Sequence, residues 1–415
     1  MKITIPEFCL VALIGASGSG KSTFTRRHFM PTEVISSDYC RGIVSDDETD
    51  LDATEDAFRL VHAIAETRLK RRKIVAVDAT NVHKEDRAKL VSLAKANHAL
   101  AVAIIINPGE EICCEGNKKR PDRQFGTHVV RNQTRSLKQD IRLIEKEGFR
   151  YVHEFRSVAE FDAVEIVRTR IWSDKRHEHG PFDIIGDVHG CRDELITLFD
   201  ALGYKVRLEG RGRERRVICT APEGRRAVFV GDLVDRGPAS PDVLRIVMHM
   251  VAEGKALCVP GNHDAKLLRY LNGRNVKVNH GLDLTVQQLD AEPSAFKREV
   301  KDFINSLVSH AWLDEGKLAV AHAGIKEHML GRASGAIRQF CLYGETSGET
   351  DEFGLPIRYN WAADYSGKTT VVYGHTPVPE AEWLNNTLCV DTGCVFGGKL
   401  TALRWPEKDI VSVSA

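Results

Sequence analysis

The sequence predicts an α/β chain in two domains, and three observations carry that reading. At 415 residues the chain exceeds what one ordinary core serves and divides most naturally into units of roughly 150 to 230 residues. Apolar runs of strand length alternate with amphipathic stretches of helical period from the start, as in a parallel sheet covered on both faces. The stretch 157–180 turns polar and reads as a linker, after which a fresh strand and new motifs begin at Phe182. The expected domains are 1–170 and 171–415.

In the first domain the apolar runs place strands at 8–14, 34–37, 74–77, 100–106 and 151–155, with helices over 53–71, 84–97 and 125–147. In the second, short strands fall at 183–185, 228–230, 256–259, 318–321, 370–372 and 388–390, each followed at once by His, Asp or Asn. Polar groups at the carboxyl ends of sheet strands are where α/β enzymes keep their chemistry. The 58 basic and 58 acidic residues cancel, so net charge selects no partner and any nucleic-acid surface is local. No long apolar stretch resembles a signal peptide or a membrane span. None of the ten cysteines falls in a C-x-x-C pair. The expectation is a soluble, cytoplasmic protein with reduced thiols.

Residues 15–23 read G-A-S-G-S-G-K-S-T, which satisfies G-x-x-x-x-G-K-[ST] between an apolar strand and a helical stretch. Gly15, Ser17, Gly18, Ser19 and Gly20 would let backbone N–H groups close around the phosphates of ATP, with Lys21 bridging the β- and γ-phosphates. Ser22 would hold Mg²⁺, and Thr23 completes the loop. Asp38 closes the second strand, where an acceptor hydroxyl could approach the γ-phosphate, and is the candidate general base; the plainer alternative is a helix N-cap. Arg41, three residues on, shares its helical face and could grip an anionic acceptor. Arg120 and Arg123 sit in a segment that could close as a lid and stabilise the transferring charge. Asp78 ends another strand and is either a water-mediated Mg²⁺ contact or structural. Residues 118–150 hold ten basic residues against four acids, a basic path for a polyanion or a solvated face.

Six motifs follow in order in the second half: G-D-V-H-G at 186–190, G-D-L-V-D-R-G at 231–237, G-N-H-D at 261–264, A-H-A-G at 321–324, G-H-T-P at 374–377 and V-D-T-G at 390–393. Together they supply the carboxylate, imidazole and amide ligands of a two-metal phosphoesterase, a donor set suited to Mn²⁺, with Ni²⁺ or iron as alternatives. Asp187 and His189 would bind the first metal, Asp232 would bridge, and Asn262, His322 and His375 would complete the second. Arg236 would grip the phosphate. His263, oriented by Asp235, would protonate the leaving oxygen. Asp391 follows a strand and would orient a ligand or substrate group. Residues 205–216 read as a basic hairpin arm or a solvated loop.

These metal motifs resemble the calcineurin-like metallophosphoesterases, particularly the phosphoprotein-phosphatase branch, which implies an αββα second domain. The P-loop, Asp38, Arg41, Arg120 and Arg123 resemble polynucleotide 5′-kinases. The order of the two resembles the bacterial polynucleotide kinase-phosphatases of RNA repair. That resemblance implies phosphorylation of 5′-OH polynucleotide ends with ATP and removal of 2′,3′-cyclic, 2′- or 3′-phosphate. The implied substrates are RNA ends, with DNA as the alternative. The implied partners are a ligase module, separate or fused, and an RNA-repair protein such as a 3′-terminal methyltransferase, with a homo-oligomer left open. Two departures stand out. The chain contains no K-x-D-G nucleophile motif, so sealing is not expected, and Gly116 stands where the lid pattern calls for arginine. The metal motifs by themselves also fit a protein serine/threonine phosphatase or a dinucleoside-polyphosphate hydrolase fused to a small-molecule kinase.

Overall fold

A computed structural model of the chain describes residues 1–119, 126–210, 215–350 and 356–415. The chain divides into two compact units, Met1–Ile171 with Arg332–Ser334, and Trp172–Gly331 with Gly335–Ala415.

The first unit is built on strands β1 (Lys2–Pro6), β2 (Cys9–Ile14), β3 (Val34–Ser36), β4 (Val75–Asp78), β5 (Leu100–Ile106), β6 (Tyr151–Phe155) and β7 (Glu165–Thr169). Its helices are α1 (Lys21–His28), α2 (Ser37–Ser45), α3 (Thr54–Lys70), α4 (Lys84–Ala96), α5 (Glu110–Lys118), α6 (Thr127–Asp140) and α7 (Val158–Asp162). Five strands form one all-parallel sheet in the order β3-β4-β2-β5-β6. Strand β2 is central and wholly buried. Side chains alternate between faces along each strand: Leu10, Ala12 and Ile14 join Val75 and Val77 in one core, while Cys9, Val11 and Leu13 join Ala76, Val102 and Ile104 in the other. Covering both faces leaves the carboxyl edge of β2, β3 and β4 as the place where polar residues meet.

Two segments differ from the sequence expectation. The polar stretch 157–180, expected to be a linker, contains α7 and β7, and β7 pairs in parallel with β1, a strand the apolar runs do not mark, in the register Lys2↔Glu165 to Pro6↔Thr169. Both strands expose polar residues on one face, which masks them in an average of hydrophobicity. The helix expected over 125–147 ends at Asp140 and continues as a short 3₁₀ turn, Ile144–Lys146.

The second unit packs two sheets face to face. One contains β8 (Phe182–Ile185), β11 (Arg226–Phe229), β12 (Ala256–Cys258), β20 (Asp391–Thr392), β21 (Lys399–Trp405) and β22 (Asp409–Ser414); the other contains β13 (Ala311–Leu313), β14 (Leu318–Val320), β17 (Thr370–Tyr373), β18 (Trp383–Leu384) and β19 (Thr387–Cys389). Phe182, Ile184, Val228 and Leu403 of the first sheet meet Leu313, Val320, Val372 and Leu388 of the second. Their strand neighbours Ile185, Ala227 and Phe229 face the helices α8 (Arg192–Leu202) and α9 (Ser240–Ala252) on the outer side. Ala319 and Val371 face α13 (Gly335–Tyr343) beyond the second sheet. The helix α10 (Asn262–Leu271) opens immediately after the loop that leaves β12, and α11 (Leu282–Asp290) and α12 (Ser294–Ser306) follow. The result is an αββα sandwich. Strands β9 (Lys205–Glu209) and β10 (Arg216–Thr220) pair as an antiparallel hairpin, and β15 (Thr346–Thr350) pairs with β16 (Pro356–Arg358).

Candidate active site

In the first unit β2 ends at Ile14 and α1 begins at Lys21, so residues 15–20 turn sharply from strand to helix. Gly18 and Gly20 turn at φ 78° and 103°, a region that side chains rarely tolerate. The Gly15 N–H donates to the Thr80 carbonyl at 2.9 Å, which ties the loop to the end of β4. Lys21 is buried and its Nζ donates to the Gly15 and Ala16 carbonyls, each at 2.9 Å. The Ser17 N–H donates to Gln133 Oε1 at 2.8 Å. Ser22 and Thr23 follow on the first turn of α1, and the buried Ser19 hydroxyl has no hydrogen-bond partner among the described residues. A glycine-rich turn that runs into a helix N-terminus fits a phosphate chain, while the Gly15, Ser17 and Ser19 N–H groups are bonded within the protein.

The acceptor-side residues differ in two respects from the sequence reading. Asp38 lies in the first turn of α2 and is not its N-cap; Ser36 is, its Oγ accepting the Tyr39 N–H at 3.4 Å. Arg41 does pair with Asp38, at 3.0 Å, but its side chain is only 5% exposed, and the same Nη1 also donates to the Glu48 carbonyl at 2.9 Å. The guanidinium is thus held between Asp38 and the loop that follows α2. Asp78 closes β4 opposite Leu13 and Ser36, buried at the same sheet edge. Arg120 and Arg123 lie outside the described residues, as do Arg211 and Arg213 of the basic hairpin. Gly116 has a physical reason: on α5 it backs onto the P-loop, where a Cβ would collide with the Gly18 carbonyl oxygen.

In the second unit the six motifs converge at the carboxyl edges of the strands. Asp232 is the common member of two tight groups, one with His189 and His263, the other with His322 and His375. Its Oδ2 stands 3.5 Å from His189 Nε2 and 3.4 Å from His322 Nε2, while its Oδ1 accepts the His263 N–H at 2.9 Å. Around His322 Nε2 gather Asn262 Oδ1 at 2.9 Å, His375 Nδ1 at 3.0 Å and the Asp232 carboxylate. One ring nitrogen can donate a single proton, so these acceptors outnumber the protons available. Asp187 adds a buried Oδ1 that accepts no hydrogen bond among the described residues, while its Oδ2 accepts the His375 N–H at 3.0 Å. A crowd of acceptors, with one oxygen left unsatisfied, fits divalent cations.

The imidazoles are aimed from behind. His189 Nδ1 and His322 Nδ1 lie 2.8 Å and 3.1 Å from the Val234 and Val230 carbonyls, so each presents Nε2 to the cluster. His263 Nδ1 meets Asp235 Oδ2 at 2.6 Å. Arg236 Nη1 stands 2.6 Å from His189 Nε2, its guanidinium over the Phe396 ring. Burial pushes the His189 imidazole down to about 4. Burial also raises the Asp391 carboxyl to about 6, helped by the Asp232 charge and opposed by the Gly393 N–H that Asp391 accepts at 3.0 Å. His189, Asp232, Asp235, Arg236 and His375 all adopt positive φ, between 44° and 76°, which concentrates backbone strain in the site. Gly261 and Gly374 permit the close approach, since a Cβ on either would strike the carboxylate of Asp232 or Asp187.

Three further residues belong to this architecture and carried little signal. Asp264, the last residue of the G-N-H-D motif, accepts the Leu233 N–H at 3.0 Å and the Gly261 N–H at 2.8 Å, clamping two motif loops together. Thr285 Oγ1 accepts the Asp235 N–H at 2.9 Å. Arg358 reaches Thr376 Oγ1 at 3.1 Å beside His375. Nothing local in sequence marks either. A third group of candidate ligands, Cys191, Glu194 and Cys394, lies in the same unit.

Comparison with known proteins agrees with both halves. The calcineurin-like phosphoesterase family matches residues 180–408, and an AAA domain matches residues 10–143. A bis(5′-nucleosyl)-tetraphosphatase (asymmetrical) of Halalkalibacterium halodurans is 48% identical over 236 residues, 56% of this chain and 93% of that protein. The protein of the same name from Anoxybacillus flavithermus is 45% identical over 236 residues, again 56% and 93%. The crystal structure of a putative diadenosine tetraphosphatase, 24% identical, aligns over 58% of this chain and 96% of that one with a TM-score of 0.42. The family implies divalent metals, and the Asp232-centred cluster has the donors to hold them. With an AAA domain of P-loop type ahead of it, the chain belongs to the calcineurin-like phosphoesterase family.

Proposed function

We propose that the chain heals broken polynucleotide ends, phosphorylating a 5′-OH with ATP in its first unit and removing 2′,3′-cyclic, 2′- or 3′-phosphate in its second. The observation that carries this is the presence in one chain of a P-loop, with Asp38 at the neighbouring strand end, and an Asp232-centred cluster with a positioned His263–Asp235 pair. A phosphate-adding and a phosphate-removing centre in one chain make sense when they act on different ends.

In the phosphoesterase, Asp187, His189 and Asp232 would hold one divalent metal, and Asp232, Asn262, His322 and His375 a second, with Mn²⁺ first and Ni²⁺ as alternative. Such a pair supplies Lewis-acid activation and neutralises developing charge. Arg236 would bind a phosphate oxygen. Asp235 fixes Nδ1 of His263, so its Nε2 would deliver the proton to the leaving oxygen. Asp391 would orient Asp187. In the kinase, Lys21 would leave the loop carbonyls for the nucleotide phosphates, Ser22 would hold Mg²⁺, and Asp38 would accept the proton of the attacking hydroxyl. Arg41, from its buried place, would position Asp38. Arg120 and Arg123 would stabilise the charge on the transferring phosphoryl group.

The likeness to proteins named bis(5′-nucleosyl)-tetraphosphatase favours a second reading, a dinucleoside-polyphosphate hydrolase joined to a kinase. One experiment separates them. The full chain is given a 5′-OH oligoribonucleotide bearing a 2′,3′-cyclic phosphate, γ-labelled ATP, Mg²⁺ and Mn²⁺, and in parallel a dinucleoside tetraphosphate. Label at the 5′ end and loss of the cyclic phosphate are expected. Neither change on RNA, with rapid cleavage of the dinucleotide, would overturn end healing in favour of the second reading.

A further inference from the structure

A cavity of about 670 Å³ opens beside the Asp232-centred cluster, and its wall includes Gly374, His375 and Thr376. That volume lies in the range of small-ligand pockets. Its lining includes five aromatic side chains, Tyr343, Tyr359, Trp361, Tyr373 and Trp383. Trp361 is held rigidly, its Nε1 donating to the Ala323 carbonyl at 3.0 Å and its ring packed 5.0 Å from that of Tyr373. Trp383 carries Lys408 Nζ 5.0 Å from its ring centroid. Four charged groups line it as well, and two of them, Glu345 and Glu380, are paired with Lys326 and Lys399. Arg358 reaches Thr376 next to His375, while no hydrogen bond or ion pair among the described residues engages Glu382.

We infer that this cavity is a nucleoside pocket, which takes the base and ribose of the nucleotide whose phosphate lies on the metal cluster. The inference rests on reading that cluster as a phosphoesterase centre for nucleotides. Flat aromatic walls suit a planar base, because every base offers a π-face for stacking. Glu382 can accept from an exocyclic amine or from ribose hydroxyls. Arg358, placed where pocket and cluster meet, can hold the phosphate that joins nucleoside to reacting centre. A phosphorylated peptide would supply no planar ring for most of this lining. An RNA 3′ end and a dinucleoside polyphosphate share the nucleoside-phosphate chemistry that the pocket would recognise.

The test uses the full chain loaded with Mn²⁺ and the variants Trp383→Ala and Trp383→Phe. Binding of adenosine 3′-thiophosphate, a slowly hydrolysed nucleotide analogue, is measured by calorimetry, and kcat/KM is measured for adenosine 3′-monophosphate and for β-glycerophosphate, which has no ring. Trp383→Ala is expected to weaken nucleotide binding about tenfold and to lower the preference for nucleotide over β-glycerophosphate by a similar factor. Trp383→Phe should restore most of both. An unchanged preference, or equal losses on both substrates that phenylalanine does not rescue, overturns the pocket. If the wild type hydrolyses β-glycerophosphate but no nucleotide, the proposed function falls; the binding measurement then judges the pocket by itself, and absent nucleotide binding overturns it. Repeating the comparison with a 3′-phosphorylated oligoribonucleotide and a dinucleoside tetraphosphate identifies the source of the nucleoside by which KM rises.

Discussion

At the scale of single residues the site is organised by second partners. His263 is a proton donor only if its ring cannot turn, and Asp235 holds Nδ1 at 2.6 Å while Thr285 fixes the Asp235 backbone. His263→Ala should lower kcat on an alkyl phosphate ester by about 10² to 10⁴, the usual worth of general acid catalysis. The loss should be much smaller on p-nitrophenyl phosphate, whose leaving group needs no proton. Equal losses on both esters would assign the ring to another task, such as metal binding with His189 and Asp232. Arg41 illustrates what residue spacing conveys and what it does not. A three-residue interval predicts that Arg41 and Asp38 share a helical face, and they do, but only the folded loop reveals that Glu48 takes the same guanidinium inward.

At the scale of elements the P-loop is held by α5 and α6 as much as by its own strand. Gly116 leaves α5 no side chain where it touches Gly18. Gly116→Ala should therefore displace the loop, costing about 1 to 3 kcal/mol of stability by overpacking and raising KM for ATP several-fold; an unchanged KM would mean that α5 gives way instead. A second tie is the fork of Arg168 on Glu33, with both oxygens bonded at 2.7 Å. The hydrogen bonds from Arg168 hold the Glu33 carboxyl below its ordinary 4.5. A depressed carboxylate stabilises the fold when ionised, so its contribution is present above pH 4.5 and is lost as pH falls through the folded value. Glu33→Gln should lower Tm at pH 7, with the gap from wild type closing below pH 4.5.

Much of both sites was legible because strand, turn and ligand follow one another within a few residues. The six metal motifs and the P-loop are of that kind, since each apolar run delivers its polar group to the same sheet edge. What was hidden depends on distant pairing. Strands β1 and β7 begin 163 residues apart in the register Lys2↔Glu165 and are polar on one face, so neither announces itself locally. Arg358 and the aromatic lining of the cavity come from separate elements, and only the sandwich brings them to His375.

At the scale of the whole molecule, each compact unit carries its own core and its own candidate chemistry. The two activities should therefore be separable by single substitutions. Lys21→Ala should abolish transfer from ATP and leave phosphate release above half of wild type, and Asp232→Asn should do the reverse. Assaying both activities in both variants checks this, and loss of both in either would show that the centres depend on one another. The left-handed backbone of five side chains in the phosphoesterase site bears on the stability of the fold around it. Conformations of that kind cost of order 1 to 3 kcal/mol each, and a residue without a Cβ is relieved of most of it. His375→Gly should thus give a protein that melts higher than its parent when both are stripped of metal, although catalytically silent. The strained side chains of the site thus measure what the fold gives up in stability to bring its donors together.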